Sequence, residues 1–129
     1  MESEESKILD YISKISSPNE SIRQEASQYL QSCTFQIQYL PFFENTLHQC
    51  ITGSSRANVY YCMLALRDII LNRGCILSDK DHINHVRKLL TIANDAAASI
   101  SNDIAILNVF SDAISISYRF IFEKGQFQF

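Results

Sequence analysis

Three long apolar-periodic runs in this chain each follow a short polar break and carry an alanine, at Ala26, Ala65 and Ala105. The intervals are 39 and 40 residues, close to the roughly 40 to 47 of arrays in which each unit is a helical hairpin. Each alanine is read as the small residue at the centre of a hairpin's second helix. A hairpin of that size cannot bury its apolar face alone, so the spacing predicts paired helices stacked on one shared core. An all-β alternative lacks turn chemistry, with three Gly, two Pro and no Trp, and the expectation is an all-α chain. At 129 residues, 47% hydrophobic and 19% charged, the chain suits one globular domain.

Helix limits follow from periodicity and caps. Residues 4–15 put Ile8, Leu9, Tyr11, Ile12 and Ile15 on one stripe, away from Lys7, Asp10 and Lys14, as an amphipathic helix requires. Ser17-Pro18-Asn19-Glu20 reads as a capping box with Ser17 at the N-cap and Pro18 at the first helical position. The helix it opens is predicted to reach Cys33, with Ile22, Ala26, Tyr29, Leu30 and Cys33 inward at helical spacing. A third helix over 40–51 buries Phe43, Leu47, Cys50 and Ile51 and closes at Gly53, with Phe42 also assigned to the core. A fourth opens at Ser54-Ser55, buries Val59, Cys62, Met63, Leu66, Ile69 and Ile70, and ends in Arg73-Gly74, a cationic last turn followed by Gly. Ser78-Asp79-Lys80-Asp81 opens a fifth, with Ile83, Val86, Leu89, Leu90 and Ala93 inside and His82, Arg87 and Lys88 outside. Residues 94–102 read as a small polar connection to a last helix. That helix carries Ile104, Leu107, Phe110, Ala113, Ile114, Ser117, Phe120 and Ile121 up to Lys124-Gly125, and being apolar almost all round it must be covered on more than one side.

A net charge of −3 argues against general nucleic-acid binding, which needs a clustered surplus of Lys and Arg. The acidic opening Met1-Glu2-Ser3-Glu4-Glu5, with no uninterrupted apolar run near about 18 residues, predicts no signal peptide, no membrane insertion and an intracellular protein. Cys33, Cys50, Cys62 and Cys75 stand singly in apolar contexts, so buried free thiols are expected rather than a disulfide or a metal site. His82 and His85 stand at i, i+3 but lack a third ligand nearby, and surface or partly packed histidines are expected. No nucleotide, hydrolase or metalloprotease motif occurs, so neither catalytic residues nor a cofactor are expected.

Particular residues then carry a resemblance. Ile22-Arg23-Gln24-Glu25-Ala26-Ser27-Gln28-Tyr29-Leu30, after a short helix and a Ser-Pro-Asn-Glu turn, resembles the opening motif of importin-β-type nuclear transport receptors, in which an Arg, an Ala and a Leu recur in that order. Leu64-Ala65-Leu66-Arg67-Asp68-Ile69-Ile70 resembles that family's Leu-Lys-Asn-x-Ile stretch, with Arg67 for the usual Lys and Asp68 for the usual Asn. Residues 114–125, from Ile114 to Gly125, are similar to the third-repeat helix of the exportin-four and exportin-seven branch.

The resemblance implies a HEAT-repeat right-handed solenoid of about three antiparallel helix pairs, over residues 4–33, 38–73 and 79–125, as the N-terminal part of a longer superhelix. It implies a protein-binding scaffold whose partner is the small GTPase Ran in its GTP form, with cargo and nucleoporins bound through the whole receptor, shuttling between cytoplasm and nucleus. Carried over residue by residue, the Ran-facing positions are Arg67 and Asp68, with Arg23, Gln24, Gln28, Asn108 and Asp112 as further positions. Two other readings stand beside it: a HEAT or armadillo scaffold in trafficking or cytoskeletal assembly without Ran dependence, and a small helical enzyme. Phe127 and Phe129, after an apolar last helix, lead to the expectation that the chain self-associates through its C-terminal end.

Overall fold

The structure, a computed structural model, describes residues 3–51 and 56–126. Its α-helices are α1 (Glu4–Lys14), α2 (Glu20–Cys33), α3 (Leu40–Cys50), α4 (Arg56–Arg73), α5 (Asp79–Asp95), α6 (Ala97–Ile100) and α7 (Ile104–Gln126), with 3-10 turns at Ile37–Tyr39 and Gly74–Ile76. The described residues contain no strand, so the chain is all-α as expected. The expectations resting on Gly53, Ser54, Ser55, Phe127 and Phe129 lie outside the described residues.

Local chemistry explains where the helices begin. The hydroxyl of Ser3 accepts from the Ser6 amide and that of Ser78 from the Asp81 amide, each filling one of the donors a helix start leaves unpaired. The expected Ser17 cap is displaced by two residues. Asn19 caps α2, its Oδ1 accepting from the Ser21 and Ile22 amides, whereas Ser17 Oγ accepts from the Asn19 amide and the Ser17 carbonyl accepts from Arg23 Nη1 at 2.8 Å. Pro18 therefore precedes the helix instead of opening it. The connection expected over 94–102 contains α6, and α7 continues one residue past Gly125.

Each long helix packs on its sequence neighbour, α1 on α2, α3 on α4 and α5 on α7. Between these hairpins α1 meets α3, α3 meets α5, and α4 meets α7 along an extended contact. The shared core takes Ile8 and Ile12 from α1, Phe43 and Leu47 from α3, Met63, Leu66, Ile69 and Ile70 from α4, Leu89 from α5 and Ala113 from α7, all with at most 1% of their surface exposed. Burial of this apolar surface is the main stabilising term.

Ala26 and Ala65 are buried on the second helices of their hairpins. Ala105 is not their equivalent. It is the second residue of α7 and half-buried, and the fully buried alanine on that helix is Ala113. The second interval is therefore 48 residues rather than 40, because α6 lengthens the last hairpin.

Further corrections concern burial. Ile22, Ile83, Leu90, Ile104 and Leu107 are exposed, and His82 and His85, expected outside, are buried on α5. The inward stripe of α5 runs through His82, His85, Val86, Leu89 and Ile92, rotated from the one read through Ile83 and Leu90. Cys33 and Cys62 are buried and in no disulfide, but Cys75 is exposed.

Gly74 answers a demand for space, since no described glycine has a positive φ. A Cβ there would stand 2.7 Å from Phe120 Cε2 and 3.2 Å from Ile70 Cγ2. His82 belongs to the same junction: it lies stacked on Phe120 with ring centroids 5.1 Å apart, and its Nε2 meets the Gly74 carbonyl at 2.8 Å.

By length and composition Ile104–Ile121 is apolar enough to cross a membrane, at mean hydropathy 1.4, although Asn108, Asp112 and Arg119 interrupt its apolar run. Part of that apolarity is core: Ile106, Val109, Phe110, Ala113 and Ser117 are buried on a helix that packs against α4 and α5.

Candidate functional site

The positions carried over from the resemblance fall on α2, α4 and α7. On α4, Arg67 Nε and Nη2 donate to Asp68 Oδ1 at 3.1 and 3.0 Å. Both side chains are about one-third exposed, at 31% and 39%, so water screens the pair and its contribution to stability is small. Neighbouring residues diverge by about 100° around a helix, so the Arg67 side chain must lean back along the surface to reach Asp68. That guanidinium is thus partly engaged before any partner arrives.

A groove of about 270 Å³ runs between α2 and α4. Its floor includes Ile15, Leu30 and Leu64, and Ser27, Gln31 and Asp68 lie on its polar rim. Of the seven carried-over positions, Asp68 alone lines it. Arg23 is turned toward the α1–α2 connection, where it holds the Ser17 carbonyl, and Gln24 Nε2 reaches Glu20 Oε1 at 3.4 Å. Gln28 is exposed on α2, and Asn108 and Asp112 are exposed on α7. Sequence reasoning missed Ser27 and Gln31, although their spacing of four residues on α2 puts them on one face.

At the Thr34 end of the groove, side chains from the last turn of α4 bond the chain that follows α2. Asn72 Nδ2 donates to the Thr34 carbonyl and to its hydroxyl, both at 3.2 Å, and Arg73 Nε donates to the Phe35 carbonyl at 2.7 Å. The expected cationic last turn of α4 thus serves the chain after α2, whose own terminal carbonyls need donors.

A second cluster was not anticipated. Glu44 on α3 is buried, and its two oxygens meet two side chains of α5: His85 Nδ1 at 2.5 Å from Oε2, and Lys88 Nζ at 3.2 Å from Oε1. The side chains of His85 and Glu44 are 1% and 5% exposed, whereas Lys88 reaches in from solvent. A buried carboxylate is costly unless both oxygens are paired, which is what His85 and Lys88 achieve, one turn apart on α5. His85 Nε2 is buried without a hydrogen-bond partner among the described residues. A cavity of about 520 Å³, lined among others by His48, Arg87 and Lys88, lies on one side of the cluster, and one of about 310 Å³, lined among others by Leu40, Leu77 and Asp81, on the other.

A sequence signal for this cluster does exist. Leu40, Phe43, Leu47 and Ile51 define the inward stripe of α3, and Glu44 stands within it at i+4 from Leu40, a position that buries whatever occupies it. The arrangement is a buried hydrogen bond between an imidazole and a carboxyl group that clamps α3 to α5. No three or more His, Cys, Asp or Glu side chains among the described residues come together as a metal site. Burial pushes the Cys33 thiol above its ordinary pKa, against hydrogen bonds from Tyr29 and Ser32 that lower it. That keeps the thiol protonated and a poor nucleophile.

Comparison with family models, with curated proteins and with solved structures finds no match for this chain.

Proposed function

We propose that this chain is a protein-binding helical-repeat module that receives a partner protein along α2 and α4, as the Ran-GTP-binding region of an importin-β-type, exportin-like transport receptor would. Its three hairpins then stack as a right-handed HEAT-type solenoid, with α1, α3 and α5 in one row and α2, α4 and α7 in the other. The α2–α4 groove carries the proposal: an apolar floor with Ser27, Gln31 and Asp68 on its rim is the form of surface that takes an anchoring side chain from a protein partner. The choice of Ran comes from the resemblance at Arg67 and Asp68. In a whole receptor, GTP-bound Ran and cargo would be coupled through the curvature of the array, reciprocally as linkage requires, and shuttling between cytoplasm and nucleus with cargo and nucleoporins belongs to the same proposal.

A direct test measures binding of the chain to Ran loaded with GTP or with GDP, for wild type, Arg67→Glu, Asp68→Lys and a control, Lys80→Glu, at an exposed position of α5 on the other row. GTP-selective binding, weakened about tenfold or more by either α4 substitution and untouched by the control, is the expected result. Equal or absent binding to both forms by a folded chain would sink the Ran assignment. One observation favours a scaffold in trafficking or cytoskeletal assembly without Ran dependence: Asp68 replaces the usual amide and is already bonded to Arg67. That alternative predicts Ran-independent partners whose binding is still lost in Asp68→Lys.

A further inference from the structure

On α5, Asn84, Lys88 and Thr91 follow one another at i, i+4 and i+7 with Arg87 beside them, so the four share one side of that helix. On α3, Asn45 and His48 stand one turn apart. Packing of α3 on α5 brings the two sets together along a groove of about 520 Å³, within the size range of sites that hold small ligands. All six of these side chains are exposed, and each carries at least one hydrogen-bond donor. None is a carboxylate, although the chain has 14 Asp and Glu against 11 Lys and Arg.

The one carboxylate in the lining is Glu44, which is buried with its oxygens engaged by His85 and Lys88. That contact offsets the charge of Glu44 and holds the Lys88 ammonium at the groove with donors to spare. Arg87 makes no hydrogen bond or ion pair among the described residues. Other carboxylates mark the limits of the groove: Glu5 of α1, to which Asn45 Nδ2 donates at 3.3 Å, Asp81, which lines the neighbouring cavity, and Asp95, one turn beyond Thr91 on α5. They restrict the negative charge that the groove can hold to a short stretch beside Arg87.

We propose that this groove receives a short acidic segment of a partner protein, with a carboxylate paired to the Arg87 guanidinium and steadied by Asn84 and Lys88. A surface rich in donors needs acceptors, and a guanidinium meets a carboxylate through two parallel hydrogen bonds. A phosphorylated segment fits less well, since a dianion is matched by a cluster of unengaged cations, and Lys88 already serves Glu44. A further hairpin stacked beyond α5 and α7 would contact only its neighbour and leave the groove between α3 and α5 open. The inference stands apart from the α2–α4 groove, and neither depends on the other.

A chemical-shift titration of the whole chain, labelled with nitrogen-15, tests this with a blocked Ala-Glu-Glu-Ala peptide, its Ala-Gln-Gln-Ala counterpart and inorganic phosphate. The glutamate peptide is expected to shift the side-chain signals of Asn45, Asn84 and Arg87 saturably, half-complete on the order of 1 mM, and the glutamine peptide to leave them in place. Arg87→Gln is expected to weaken binding about threefold or more. Arg119→Gln removes the same charge from an exposed position on α7 and is expected to leave binding unchanged. Shifts that fail to saturate, equal response to the two peptides, equal weakening in the two variants, or tighter binding of phosphate than of the glutamate peptide would each overturn the proposal.

Discussion

At the residue scale the most consequential side chain is Glu44, because it sits at a core position of α3 and depends on α5 for its partners. Substituting Glu44 with Leu strands the His85 Nδ1 proton, and substituting His85 with Leu leaves the buried carboxylate with Lys88 as its remaining side-chain partner among the described residues. Each single change is expected to cost about 3 kcal/mol of stability. The double substitution replaces both groups with apolar volume and is expected to cost less than the two singles together, by at least about 1 kcal/mol. Urea unfolding of the four proteins measures this directly; additive losses would mean that the pair contributes nothing through its mutual contact. His85 illustrates how misleading a residue's type can be. Histidine beside Arg and Lys on a helix reads as surface, yet a carboxylate 41 positions earlier in the chain makes its burial affordable.

At the element scale, caps were legible in kind but not always in position. Ser78 caps α5 as expected, whereas Asn19 takes the place expected of Ser17, since either side chain can accept from a helix start and the path of the chain selects one. Asp103 combines two tasks at the start of α7. Its Oδ1 accepts from the Ile106 amide at 3.3 Å, and its carboxylate binds Nε and Nη2 of Arg56, in the first turn of α4. The hydrogen bond from Arg56 is the largest of the effects that hold the Asp103 carboxyl below its ordinary value of 3.8. A carboxyl depressed in the folded state adds stability above its unfolded pKa, and that stability is lost as pH falls through the folded one. Comparing urea midpoints at about pH 6 and about pH 3, the acid-induced loss is expected to be smaller in Asp103→Asn than in wild type. An equal loss in both would show that the Arg56–Asp103 contact is not formed in solution.

At the scale of the whole molecule, α4 is the hub: it packs against α3 and α7, touches α1, and buries Val59, Cys62, Met63, Ala65, Leu66, Ile69 and Ile70. α2 rests mainly on α1 and makes few contacts with α4. Amide hydrogen exchange is therefore expected to be slowest over residues 62–70 and faster in α2, because local opening costs least where few buried contacts are broken; protection of α2 equal to that of α4 would contradict this packing. The sequence by itself determined the all-helical class, most helix limits and the core stripe of α4, since periodicity and capping are local properties that any nearby context leaves intact. It also indicated paired helices through Ala26 and Ala65, though not through Ala105. Tertiary structure alone decided which of two competing stripes on α5 turned inward, that Glu44 met His85 and Lys88, that Gly74 made room for Phe120, and that Asp68 reached a groove while Arg67 did not. Those outcomes depend on contacts between residues far apart in the chain, and a pattern read along one helix carries no information about which neighbour will cover it.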